Sequence, residues 1–117
     1  MDKIRKHNRA EADIQEAIEN KLRAMGWFVK STHGNIYQFG FPDLYLGHAS
    51  YGTRWLEVKN PAGYSFTKAQ LETFPQMAAA GIGIWIATSV HQVPDLLFKA
   101  DNFWQFFGAF KAGSHRA

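Results

Sequence analysis

The chain has 117 residues, 46% of them apolar and 15% aromatic, which suits one hydrophobic core and leaves little material for a second. It contains no cysteine, so a disulfide framework and a thiolate metal site are excluded, and any metal must take oxygen or imidazole ligands. The formal charge of +3 is concentrated in residues 1–9, where Lys3, Arg5, Lys6 and Arg9 stand against Asp2, while the remaining charges cancel. Such a tail attracts polyanions, nucleic acid first among them, and equally fits a solvated terminus that only aids solubility. There is no apolar run of about 18 residues, and the basic start leads into a polar helix instead of a signal-peptide core. The expectation is a soluble, cytoplasmic protein without a membrane partner, with a basic tail over residues 1–9 and a single domain over 10–117.

From Ala10 to Met25 the positions Ile14, Ala17, Ile18, Leu22 and Met25 recur at helical spacing, and Gly26 marks the stop. Trp27 to Thr32 alternates like a strand and runs into a His33-Gly34-Asn35 segment. Asp43 to His48 and Arg54 to Asn60 are two further strands joined by a short loop containing Gly52, as in a hairpin. Pro61-Ala62-Gly63 breaks the second of them, and Ser65 or Thr67 can cap a helix that runs to about Ala80. Pro75 should kink that helix. Ile82 to Thr88 is nearly all apolar, as in a strand covered on both faces. Val93 to Phe98 and Asn102 to Phe110 give a last helical region. Its stripe of Phe103, Phe106, Phe107 and Phe110 fits the core and fits a contact with a second copy equally well. The order α-β-β-β-α-β-α implies a mixed sheet flanked by helices.

Side chains alternate across a sheet, so Leu44, Leu46, Leu56 and Val58 share one face, and Asp43, Tyr45, Trp55, Glu57 and Lys59 share the other. If Leu44 pairs with Leu56, Asp43 falls opposite Glu57. Neighbouring carboxylates repel unless a cation lies between them. A hard divalent ion such as Mg²⁺ meets that need with one or two carboxylates plus water and phosphate oxygens. Lys59 could then orient or deprotonate a water or neutralise developing charge. Solvent-exposed cross-strand ion pairs are the bland alternative.

Pro42-Asp43, thirteen residues, then Glu57-Val58-Lys59 resembles the signature of the PD-(D/E)XK nuclease superfamily. The surrounding Phe39-Gly40-Phe41-Pro42-Asp43-Leu44, Trp55-Leu56-Glu57-Val58-Lys59-Asn60-Pro61 and Ser65-Phe66-Thr67-Lys68-Ala69-Gln70 resemble its virus-type replication-repair nuclease (VRR-NUC) branch, over roughly Glu11 to Ser89. The resemblance implies an α/β, restriction-endonuclease-like α-β-β-β-α-β core with a C-terminal aromatic helical segment. It also implies a Mg²⁺- or Mn²⁺-dependent endodeoxyribonuclease that cuts branched DNA such as Holliday junctions as a homodimer. Asp43, Glu57 and the Val58 carbonyl would hold the metal, with an acidic residue from the first helix. Glu11 is the choice for that residue, because it shares the stripe of Ile14, Ile18 and Leu22. A first-turn carboxylate that only stabilises the helix dipole is the competing reading. Gln70 would sit beside Lys59 and position the water or a phosphate. Lys30, Asn35, Arg54 and Lys68, with the tail, are candidates for phosphate contacts; His33 and Tyr37 are more simply loop residues. A catalytically silent nucleic-acid-binding module and an assembly subunit are the alternatives.

Overall fold

The computed structural model describes residues 9–32 and 40–113. The tail residues Lys3, Arg5 and Lys6, and His33, Asn35 and Tyr37, lie outside them. The elements are α1 (Arg9–Ala24), β1 (Phe28–Ser31), β2 (Leu44–His48), β3 (Gly52–Val58), α2 (Lys68–Ala79), β4 (Ile84–Ala87), a 3-10 turn (Val90–Gln92), α3 (Val93–Leu96) and α4 (Phe103–Lys111). They follow the expected order. No helix among the described residues is long and apolar enough to cross a membrane.

One sheet of order β1-β2-β3-β4 is antiparallel through β3, and β4 joins it in parallel after the α2 crossover. Its parity separates two cores. Leu44, Leu46, Leu56 and Val58 pack with Ile18 and Leu22 of α1 and with Val93 and Leu97. On the opposite face Ile84 and Ile86 pack with Phe66, Phe74 and Phe103. Helices thus cover both faces, which explains why β4 reads as continuously apolar. Phe103 is buried and Phe106, Phe107 and Phe110 are half-buried against this second core, so the aromatic stripe of α4 packs on the chain's own core and keeps part of its surface exposed.

Several boundaries differ from the sequence expectation for identifiable reasons. Gly81, at φ +86°, follows α2, and Ile82 N–H then bonds the Met77 carbonyl at 2.9 Å while Gly81 N–H bonds Ala78 at 3.1 Å. This closure is a Schellman motif, so Ile82 belongs to the helix end and the strand starts at Ile84. Pro75 lies inside α2, which continues through it to Ala79. β3 spans Gly52–Val58 instead of Arg54–Asn60, the turn before it using Gly52 at φ +83°.

The outer strand β4 is tied down by a side chain. Asn102 Nδ2 donates to the Ile86 carbonyl at 3.0 Å, and its Oδ1 accepts from Ile86 N–H at 2.7 Å. This mimics the missing neighbour strand and docks the start of α4. Asn102→Ala should lower stability by about 2 kcal/mol, the worth of two partly buried bonds. Urea denaturation checks this, with a lower midpoint and an unchanged m-value expected.

Candidate active site

The register of the hairpin places Leu44 opposite Leu56, so Asp43 and Glu57 meet at the open end of the β2–β3 pair. They meet through two reciprocal bonds. Val58 N–H donates to Asp43 Oδ2 at 2.9 Å, and Asp43 N–H donates to Glu57 Oε1 at 3.0 Å. Side-chain carboxylates thus take backbone donors that a regular ladder would use, and this is why Asp43 stands just before β2 and Lys59 just after β3. The carboxylates are 0% and 2% exposed. Burial at that depth demands such partners.

The other Glu57 oxygen, Oε2, accepts from Gln70 Nε2 at 2.9 Å and lies 3.0 Å from Lys59 Nζ. Lys59 Nζ also donates to Gln70 Oε1 at 3.1 Å and to the Ser65 carbonyl at 2.7 Å, and it sits 4.5 Å from the Phe66 ring centroid. Gln70 reaches this position because it is N3 of α2. Thr67 Oγ1 accepts its N–H while its own Oε1 accepts Thr67 N–H, both at 3.1 Å, forming a capping box. The Thr67-x-x-Gln70 spacing carried that signal. Gln70 is 1% exposed and stands beside Lys59 as expected, its amide bonding Glu57, Lys59 and Thr67 and so bracing those groups.

The turn leading to Asp43 is held from two sides. Thr32, at the end of β1, gives its N–H to the Asp43 carbonyl at 2.9 Å and its hydroxyl to the Pro42 carbonyl at 2.8 Å. Gly40 has φ +88°, and a Cβ there would lie 3.0 Å from Ala69 Cβ and 3.2 Å from the Ala69 carbonyl oxygen of α2. Only glycine lets this loop approach α2 so closely without strain. Thr32 gave no sequence signal beyond ending a strand.

A solved structure described as a VRR_NUC domain matches this fold with a TM-score of 0.61 at 22% identity, over 78% of this chain and 97% of that one. The chain has the VRR-NUC fold. No protein-family profile and no curated protein matches the sequence.

Onto this VRR-NUC fold the expected site residues map unevenly. Asp43, Glu57, Lys59 and Gln70 converge. Glu11 does reach the same end of the sheet, where its Oε2 accepts Asn60 N–H at 3.1 Å. No group of three His, Cys, Asp or Glu side chains that could hold a metal is found among the described residues. Lys30 is exposed and pairs with Tyr45 on the Glu57 face; Lys68 is exposed at the first residue of α2, and Arg9 at the first of α1. Arg54 has the parity of Leu56 and so faces away from Glu57. Its Nε donates to the Leu97 carbonyl at 3.2 Å, and its guanidinium lies 4.9 Å from the Trp85 ring centroid.

The donors here suit a hard cation. Two carboxylates are available, and the formal charges of Asp43, Glu57 and Lys59 sum to −1. Lys59 N–H donates to Ala87 on β4. The peptide is trans, so the Val58 carbonyl is directed the other way, toward the side on which Val58 N–H holds Asp43. One or two carboxylates, a carbonyl and waters match the preferences of Mg²⁺.

Gly40→Ala should destabilise the protein by about 1–3 kcal/mol, through a left-handed backbone and a Cβ pressed on α2. Chemical denaturation of the two proteins measures it. A variant as stable as the parent would contradict this account of the Asp43 turn.

Proposed function

We propose that this protein is a VRR-NUC family nuclease that hydrolyses phosphodiester bonds in DNA with a divalent metal, Mg²⁺ or Mn²⁺. The reading rests on one observation: in a VRR-NUC fold, two carboxylates and an ammonium are buried together and locked by Val58 N–H, Asp43 N–H and Gln70. Asp43, Glu57 and the Val58 carbonyl would hold the ion. When bound it supplies a Lewis acid that acidifies water and stabilises charge on the phosphoryl oxygens.

The chain's own groups divide the remaining work. Lys59 contributes a fixed positive charge and donors beside Glu57, placed to meet the charge that develops on the phosphate. Gln70 holds Lys59 and Glu57 in register with each other. Glu11 fixes the exit of β3 through Asn60 N–H, which keeps Lys59 aimed. Lys30 and Lys68 flank the site and would hold phosphates without reading bases, as would Arg9 and the tail. The start of α2 strengthens Lys68, because the helix dipole adds positive potential there. Branched DNA as substrate and a twofold dimer as the working form are part of the proposal. A dimer would present one site to each of two equivalent strands.

Purified protein incubated with labelled linear, flapped and four-way DNA, with and without Mg²⁺ or Mn²⁺, tests the reading. Cleavage should require metal and favour the branched substrates. Glu57→Ala and Lys59→Ala should each lower kcat by about 10²–10³-fold, the loss typical of removing one electrostatic stabiliser, while Lys59→Ala retains DNA binding. Metal-independent cutting, or equal cutting by both variants and the parent, would sink the assignment.

Phosphate binding by the tail has its own measurement. Deleting residues 1–9 should weaken DNA binding and reduce the slope of log K against log salt by about 0.9 for each duplex phosphate that the tail neutralises. Binding and slope that survive the deletion would remove the tail from the DNA interface.

A further inference from the structure

The surroundings of Lys59 are more complete than an ion pair requires. An ammonium has three N–H donors. Around Lys59 Nζ stand three oxygens, namely Glu57 Oε2 at 3.0 Å, Gln70 Oε1 at 3.1 Å and the Ser65 carbonyl at 2.7 Å. The ring of Phe66 adds an apolar wall, with its centroid 4.5 Å from the nitrogen. That is inside the range over which a ring quadrupole attracts a cation, and desolvation strengthens the attraction. Lys59 is 4% exposed and Phe66 5%, so water screens the pair poorly.

Phe66 is itself immobilised by other rings. Its centroid lies 6.0 Å from Phe74 of α2, and 6.1, 5.8 and 5.3 Å from Phe103, Phe107 and Phe110 of α4, all at steep interplanar angles of 70–86°. Tyr64 adds a further edge contact at 6.0 Å, and its hydroxyl donates to the Phe106 carbonyl at 3.1 Å. Four elements therefore converge on one ring that touches the lysine: the end of β3, the loop after it, α2 and α4. Phe66 also directly precedes Thr67, the cap that closes the start of α2, so the ring beside the ammonium is anchored next to that cap.

We propose that Phe66 is a positioning residue for Lys59, holding the ammonium through its π face at the point set by Glu57, Gln70 and Ser65, with the α4 rings fixing Phe66 in turn. The consequence for cleavage rests on the reading of Lys59 as a charge stabiliser; the placement of the ammonium does not. Glu57 is also a proposed metal ligand, and its engagement there would weaken its hold on Lys59. Gln70, Ser65 and Phe66 would then keep the ammonium in place while its third donor turns to the phosphate.

Two independent readouts test this. In side-chain NMR of the metal-free protein, the Lys59 ε-methylene signals should be displaced upfield by the Phe66 ring current and should return to the ordinary lysine position in Phe66→Leu. Lys59 signals at the ordinary position in the unsubstituted protein would overturn the proposal without any variant, and so would signals unmoved by Phe66→Leu. The second readout replaces Phe66 by increasingly fluorinated phenylalanines, which keep the ring shape and drain its π face. On cleaved DNA, kcat should fall stepwise to about a tenth while KM stays within error. A residue that only filled the core would leave kcat unchanged along that series, and this result would overturn the proposal. If the protein cuts no DNA, the nuclease reading fails and the NMR result still decides the placement.

Discussion

Two hydrogen bonds between the start of β2 and the end of β3 organise this molecule's chemistry. Asp43 takes the N–H of Val58, and Glu57 takes the N–H of Asp43. Each carboxylate is thereby held by a backbone donor on the opposite strand, so strand pairing and carboxylate placement are one event. A slip of one residue in the hairpin would turn both carboxylates and every leucine of the pair to the wrong face. The core of Leu44, Leu46, Leu56 and Val58 against α1 therefore selects the register that builds the site.

The second constraint is the beginning of α2. Gln70 serves the helix as N3 of its capping box and serves the site as a brace between Glu57 and Lys59. Helix initiation and lysine placement consequently share one side chain, and a helix that started a residue later would point that amide elsewhere. Gly40 completes the arrangement by letting the Asp43 turn lie against Ala69, the residue before Gln70 in the same helix. Three short segments thus fix one another at a single point.

Much of this was legible because strand periodicity is a strict rule. Parity alone put Asp43, Glu57 and Lys59 on one face, and the register it left conditional, Leu44 opposite Leu56, is the one the sheet contains. The same rule places Arg54 with Leu56 and Val58, away from Glu57, although its candidacy for phosphate binding rested on charge. Where that guanidinium goes was not legible, since its partner, the Leu97 carbonyl, lies 43 residues along the chain. Helical spacing correctly turned Glu11 inward, but spacing carries no depth. In the fold its carboxylate accepts Asn60 N–H just beyond β3, a partner 49 residues along the chain. The role of Phe66 was hidden for a similar reason, because an aromatic residue before a helix cap reads as ordinary packing until the lysine is seen over its ring.

Fold likeness at 22% identity implies no activity by itself, so the weight rests on what the site costs the protein. Buried ion pairs are poor stabilisers, and apolar residues of similar volume commonly do as well or better in their place. Here Asp43, Glu57, Lys59 and Gln70 are all buried at the end of a sheet whose two faces are otherwise packed with leucine, isoleucine and phenylalanine. An apolar cluster would serve folding at that point with fewer demands on geometry. What it would not provide is an oxygen-rich corner with the donors a hard cation prefers, and an ammonium held beside it with the charge that attracts an anion.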